Sequence, residues 1–283
     1  MSQSSTRTVT AAQQALEALG MDVYKIVSGF SSEAKGETLE SEESAFRAHE
    51  LDVILSRSSN FESESNVLRK QRKRNSQPAR ISLGGDVHHP TQTLGEVLLF
   101  MELYECKTLK ELRVKTNKIK PKILFIGHTA HKRADRALIK FLFKHLPGFK
   151  IVNFIPPHPQ KDIGKSYDPN IRGLKVSEDS QLANTRYMKK ITKGFDYIYI
   201  SNQEGTFGKH GKGAGKERVD YYLDVSVVER NKIRVLAPLP ASSELDKRIF
   251  KHKYSLIDQQ MKNKVAIITS LIAHQLFSKK YNK

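Results

Sequence analysis

"KILFIGHTAHKRADRALIKFLFKHLPGFKIVNFIP", residues 122–156, decides the fold. "KILFI" is a short, continuous apolar run closed by Gly127, the pattern of a strand buried on both faces. "KRADRALIKFLFKHL" then reads as a helix, and "FKIVNFIP" as a second strand. Strand, helix, strand within one short stretch predicts two parallel strands joined by a crossover helix.

The same alternation extends outward. "MDVYKIV", "LDVILS" and "ARISLGG" on one side, and "FDYIYIS" and "IRVLAPLP" on the other, are predicted strands. Val9, Ala12, Leu16 and Leu19 recur at helical spacing before Gly20, which supplies a stop. A polar helix is expected to end near Ala48, and a basic one to cover residues 68–80. "HPTQTLGEVLLFMELYE" opens a further helix with Pro90 in its first turn. "LIDQQMKNKVAIITSLIAHQLF" closes the chain as a long helix. The expected fold is α/β: two domains, each with a mostly parallel sheet flanked by helices, joined by interdomain helices. The expected divisions are residues 1–115, residues 116–252, and a C-terminal helix at 253–283 packing back on the first domain.

Composition bounds the function. At 283 residues and 38% hydrophobic, the chain can bury two ordinary cores. No apolar run suits a membrane span, and no signal-peptide core follows Met1, so a soluble, cytoplasmic protein is expected. A lone cysteine, Cys106, excludes an internal disulfide framework. The net charge of +18 suits nucleic acid, an acidic surface or a small anionic substrate. The basic run "LRKQRKRNSQPAR" has no interleaved aromatic for base stacking, so a solvated helix face is its plainer reading.

In parallel sheets ligands gather at the carboxyl ends of strands, so the loops there carry the chemistry. Ser5, Thr6, Arg7 and Thr8 put hydroxyls and a guanidinium at a helix N-terminus, a setting for phosphate, although Ser and Thr also cap helices. "SSEAKGET" carries Lys35, on its own a surface lysine. Arg57 follows the strand "DVILS" and could meet an anion or pair with a carboxylate. In "GGDVHHPTQTLGE", His89 and Gln92 stand three apart at a helix entrance and could face one ligand. His89 could donate to a carbonyl oxygen that gains charge, or could simply cap the helix. His128 and His131 lack a third ligand for a metal site, whereas Arg133, opening a helix, suits a carboxylate or phosphate. "GTFGKHGKGAGKER" is not a P-loop, because residue 210 is His and Glu217 replaces Ser/Thr. In "APLPASSEL", Pro238 and Pro240 leave carbonyls able to accept from an amide NH2 group.

Taken in order, "SSTRT", "AKGET", Arg57, "HHPTQ", Arg133 and "APLP" resemble the aspartate/ornithine carbamoyltransferase family, closest to the aspartate catalytic chains. The resemblance spans roughly residue 4 to the final helix. It implies transfer of a carbamoyl group from carbamoyl phosphate to an amino acid, aspartate favoured, with no metal or organic cofactor, in pyrimidine biosynthesis. It assigns the phosphate to Ser5, Thr6, Arg7, Thr8 and Arg57, and the carbonyl oxygen to His89. Gln92 and the carbonyls of Pro238 and Leu239 would surround the carbamoyl nitrogen, with Leu239 also beside the amino acid. Arg133 would hold the acceptor's α-carboxylate. Ser31 and Lys35 would reach a neighbouring subunit's site, which implies a homotrimer with shared sites. Two departures stand out. Gly213 and Gly215 occupy the arginine and glutamine positions of the family's R-x-Q-K-E-R, and only four residues precede Ser5, so the first domain is expected to lack its N-terminal strand. These departures favour, as the alternative, a carbamoyltransferase-like protein without turnover. A basic nucleic-acid-binding protein is the third reading.

Overall fold

The computed structural model of the protein describes residues 6–24, 48–56, 78–85, 89–127, 129, 132–156, 175–201, 221–238 and 243–281. The chain forms two compact units, Met1–Glu96 with Met261–Lys283, and Val97–Gln260. It passes from one to the other inside two continuous helices, α2 (Pro90–Leu103) and α7 (Ile257–Tyr281).

In the first unit, β1 (Val53–Ser56) and β2 (Ala79–Ser82) pair in parallel, with Val53 opposite Ala79 and Ser56 opposite Ser82. Helix α1 (Thr6–Glu17) buries Thr8, Ala11, Ala12, Ala15 and Leu16, an i, i+3, i+4, i+7, i+8 stripe. Of the expected face, Ala12 and Leu16 are buried and Leu19 packs against the same cluster, while Val9 is half-buried and Thr8 joins the buried side. The alanines pack with Ile81 and Leu83 of the β2 segment and with Ile268 and Ile272 of α7. Gly20 ends this segment at φ +68°, in the left-handed region expected of a helix stop. The strand expected from residue 21 is absent where it is described, since Met21–Tyr24 is irregular. Val23 and Tyr24 are exposed, so two apolar side chains there find no sheet face to cover. Its last residues, the polar helix expected before Ala48, and residues 68–77 of the basic helix expected over 68–80 lie outside the described residues, while Ala79 and Arg80 belong to β2 and not to a helix.

The second unit holds a five-stranded, all-parallel sheet in the order β5-β4-β3-β6-β7. The strands are β3 (Lys122–Ile126), β4 (Lys150–Ile155), β5 (Lys175–Glu178), β6 (Tyr197–Ile200) and β7 (Arg234–Leu236). Residues 122–156 form the strand, helix and strand read from the sequence, with α4 (Arg133–His145) as the crossover. Ile123, Leu124, Phe125 and Ile126, and all four residues of β6, are buried, as central strands covered on both faces require. One face of the sheet packs Phe125, Tyr197 and Tyr199 with Leu138, Ile139 and Leu142 of α4. The other packs Leu124, Ile126 and Ile198 with Val227 and Val228 of α6 (Val225–Asn231). Two further helices, α3 (Leu109–Ile119) and α5 (Thr185–Ile191), begin at side-chain caps from Thr108 and Asn184. No helix among the described residues is long and apolar enough to cross a membrane.

Sheet order places β3 and β6 side by side although β4 and β5 intervene in the chain. Successive crossovers therefore leave β3 in one direction and return on its other side. Between the carboxyl ends of β3 and β6 lies the switch point at which doubly wound sheets open a crevice.

Candidate active site

The starts of two helices define the first unit's candidate site. Helix α1 begins at Thr6, so Thr6, Arg7 and Thr8 form its first turn rather than a loop ahead of it. The first turn contains no acidic residue, leaving the helix N-terminal partial charge without a carboxylate of its own there. Thr8 is buried, and its Oγ1 accepts a hydrogen bond of 3.0 Å from Lys264 Nζ on α7.

His89 follows the β2 segment and stands immediately before α2. Its backbone carbonyl accepts from Thr93 N at 3.2 Å and Thr93 Oγ1 at 3.3 Å, the first of these being the opening hydrogen bond of α2. The imidazole lies over Gly84, whose φ is +119°. A Cβ there would stand 3.0 Å from His89 Cδ2 and Nε2, so the glycine makes room for the ring as well as for the turn. Gly84→Ala should therefore shift the ring and strain the turn, costing about 1–3 kcal/mol. Thermal denaturation measures the cost, and a parallel fall in kcat reports the displaced imidazole.

Gln92, one turn along α2, donates from Nε2 to Glu96 Oε1 at 3.0 Å. That bond fixes the carboxamide orientation and leaves Oε1 as the acceptor end. Glu96 is fully buried on the same helix. Ser5, Ser31, Lys35 and Arg57 lie outside the described residues.

The second unit's candidate site sits at the switch point. Arg133 is the first residue of α4 and follows β3 through a short turn that includes Gly127 and Thr129. Buried Asn153 of β4 fixes that turn: Nδ2 donates to the Phe125 and Gly127 carbonyls, each at 3.1 Å. Thr129 Oγ1 donates to Asn153 Oδ1 at 2.8 Å, and Lys132 N to the Thr129 carbonyl at 3.2 Å. Two residues past Arg133, buried Asp135 accepts at Oδ2 from Ser201 Oγ, the residue directly after β6. Tyr221 OH in turn donates to the Ser201 carbonyl at 2.8 Å. The start of α4 and the end of β6 are thus tied together. Pro238, two residues after β7, is half-buried, and Ala237 N donates to Gln260 Oε1 at 3.1 Å. Leu239, His128, His131 and the Gly213–Gly215 stretch lie outside the described residues.

Burial pushes the Asp135 carboxyl up to about 7, against the opposing pull of the Ser201 hydrogen bond and the Lys132 charge. A raised carboxyl pKa means that the folded state holds the proton where the unfolded chain has released it. This group's contribution to stability is complete below the ordinary carboxylate range and is lost as pH rises toward about 7. Asp135→Asn removes the titration. The Tm difference between variant and wild type should therefore move in the variant's favour from pH 5 to pH 8. Parallel melting curves across that range check it.

Sequence reasoning missed Lys264, Asp135, Ser201 and Asn153. Periodicity carried a signal for two of them: Lys264 is four residues from Gln260 and from Ile268, all buried, and Asp135 is three before Leu138 and four before Ile139. Charged residues on a buried stripe mark a position with a partner.

A two-unit α/β protein with hydroxyl, imidazole and guanidinium residues at helix starts and a parallel-sheet switch point is the class that these features define. Residues 1–102 match the family described as "Aspartate/ornithine carbamoyltransferase, carbamoyl-P binding domain". The aspartate carbamoyltransferase catalytic subunit of Prochlorococcus marinus is 24% identical over 289 residues, covering 95% of this chain and 82% of that one. Among solved structures, the catalytic subunit of M. Jannaschii aspartate transcarbamoylase shares the fold at TM-score 0.69 and 20% identity, covering 99% of this chain and 84% of that one. Aspartate transcarbamoylase from Trypanosoma cruzi, in complex with aspartate and phosphate, does so at 0.66 and 18%, covering 95% and 79%. The first 102 residues thus match this family's carbamoyl-P binding domain, and the chain over most of its length is similar to aspartate carbamoyltransferase catalytic subunits.

Proposed function

We propose that this protein transfers the carbamoyl group of carbamoyl phosphate to the α-amine of aspartate, releasing phosphate. The observation that carries this reading is the match of residues 1–102 to a carbamoyl-P binding domain, supported by the position of Thr6, Arg7, Thr8, His89 and Gln92 at helix starts. The acceptor, as its neutral amine, attacks the carbamoyl carbon, its C–N bond forms, the C–O bond to phosphate breaks, and the amine's proton passes to the departing phosphate. Negative charge moves onto the carbonyl oxygen and then onto the departing phosphate. His89 is the donor for the carbonyl oxygen. Gln92 Oε1, with its Nε2 committed to Glu96, accepts from the carbamoyl NH2 group, as do the carbonyls of Pro238 and Leu239. Ser5, Thr6, Arg7, Thr8 and Arg57 receive the phosphate at an N-terminal helix turn. Arg133 holds the α-carboxylate. Rate enhancement comes from positioning and from donors aimed at developing charge.

Ser31 and Lys35 act in a neighbouring subunit's site, which makes the working form a homotrimer. The protein is cytoplasmic and serves pyrimidine biosynthesis. Purified protein incubated with carbamoyl phosphate and aspartate should form carbamoyl aspartate and phosphate in equal amounts. Absence of both carbamoyl phosphate binding and turnover would overturn the proposal. Binding without turnover on any amino acid would establish the second reading, which Gly213 and Gly215 favour by removing two side chains expected around the acceptor.

A further inference from the structure

Helix α7 meets both helices that carry the proposed carbamoyl phosphate groups, and Lys264 takes part in both contacts. The Lys264 side chain reaches Thr8 in the first turn of α1, at 3.0 Å, and Lys264 is 4% exposed while Thr8 is 2%. Its main chain lies against Gly95 of α2, where a Cβ would stand 3.3 Å from Lys264 N and 3.4 Å from its Cα. Gly95 is three residues beyond Gln92, on the next turn of the same helix. An aliphatic residue would suit the stripe on which Lys264 lies, since Ile268 and Ile272 continue it into the alanine-lined core. Placing an ammonium there is costly unless its donors are met, so its contact with Thr8 is a specific arrangement.

An ammonium has donors and no acceptor, so Lys264 engages Thr8 Oγ1 through an oxygen lone pair. The hydroxyl proton is thereby turned away from Lys264, and the hydroxyl's rotation is limited. We propose that Lys264 is a positioning residue for the phosphate grip, acting through Thr8, with the C-terminal helix supplying it to the N-terminal site. The inference rests on the carbamoyltransferase reading and adds to it a residue outside the loops that carry the family's motifs. Its chemistry concerns the phosphate half of the ligand only, so the acceptor amino acid should not sense the change.

The test uses the full chain and carbamoyl phosphate as the probe. Lys264→Met keeps the length of the side chain and removes the donor. It should raise the KM for carbamoyl phosphate about tenfold, the loss expected for one charge-assisted hydrogen bond. The KM for aspartate should stay within twofold, and Lys264→Arg should recover most of the loss. Thr8→Val should raise the same KM, and the double variant should be no worse than the poorer single one, because both remove one link. A lower Tm in Lys264→Met with an unchanged carbamoyl phosphate KM would overturn the inference, as would fully multiplicative effects of the two variants. Where Lys264→Met does not fold, Thr8→Val takes its place, and an unchanged carbamoyl phosphate KM in that variant overturns the inference. Failure of wild-type protein to bind carbamoyl phosphate by calorimetry would instead sink the reading on which it rests.

Discussion

His89→Ala should lower kcat by a factor of about 10²–10³, the usual cost of removing one donor from a site that stabilises a developing oxyanion. The backbone keeps this effect separate from stability. Residue 89 is the last before α2, and its carbonyl already takes the bonds of Thr93. Those main-chain bonds survive truncation of the side chain, and stability should change little. The ring lies on Gly84, so its removal leaves space rather than strain. Steady-state kinetics with saturating carbamoyl phosphate and aspartate isolates the effect in kcat. A loss confined to Tm, with kcat intact, would return His89 to a packing role.

Arg133→Met should raise the KM for aspartate about 30- to 100-fold and leave the KM for carbamoyl phosphate unchanged. A guanidinium binding a carboxylate through two parallel hydrogen bonds contributes roughly 2–3 kcal/mol, and methionine keeps the apolar stem while removing both. Placement makes the split specific. Arg133 opens α4 at the switch point of the second unit's sheet, on a turn held by Asn153. The groups proposed to bind carbamoyl phosphate, Thr6, Arg7, Thr8, His89 and Gln92, belong to the first unit's helix starts. Equal changes in both KM values would show that Arg133 supports the fold and not the acceptor.

Much of this fold is legible in local pattern. "KILFI", "FKIVNFI" and "YIYI" are continuous apolar runs too short for helices, and the α4 segment between the first two is long and periodic. Such patterns report burial directly. The motif residues are legible for a different reason: hydroxyl, guanidinium and imidazole groups at helix starts have few alternative uses in combination. Local pattern fails at "MDVYKIV", whose apolar residues suggest a strand although Val23 and Tyr24 are exposed. A strand needs a neighbour, and no single-segment pattern supplies one. Strand β5 and helices α5 and α6 carry no such signal, because four to seven residues are too few for a period to show.

The sequence by itself determined the α/β class, the order of the principal strands and helices, and the residue types offered to a phosphate, a carbonyl oxygen and a carboxylate. Each depends on periodicity or on side-chain chemistry within about a dozen residues. Only the tertiary structure decided that β6 lies beside β3, creating the switch point at Arg133 and joining Asp135 to Ser201. Only it decided that Lys264 meets Thr8, a pairing between residues 256 positions apart. Contacts of that separation are fixed by how complete elements pack, and packing is a property of many residues at once.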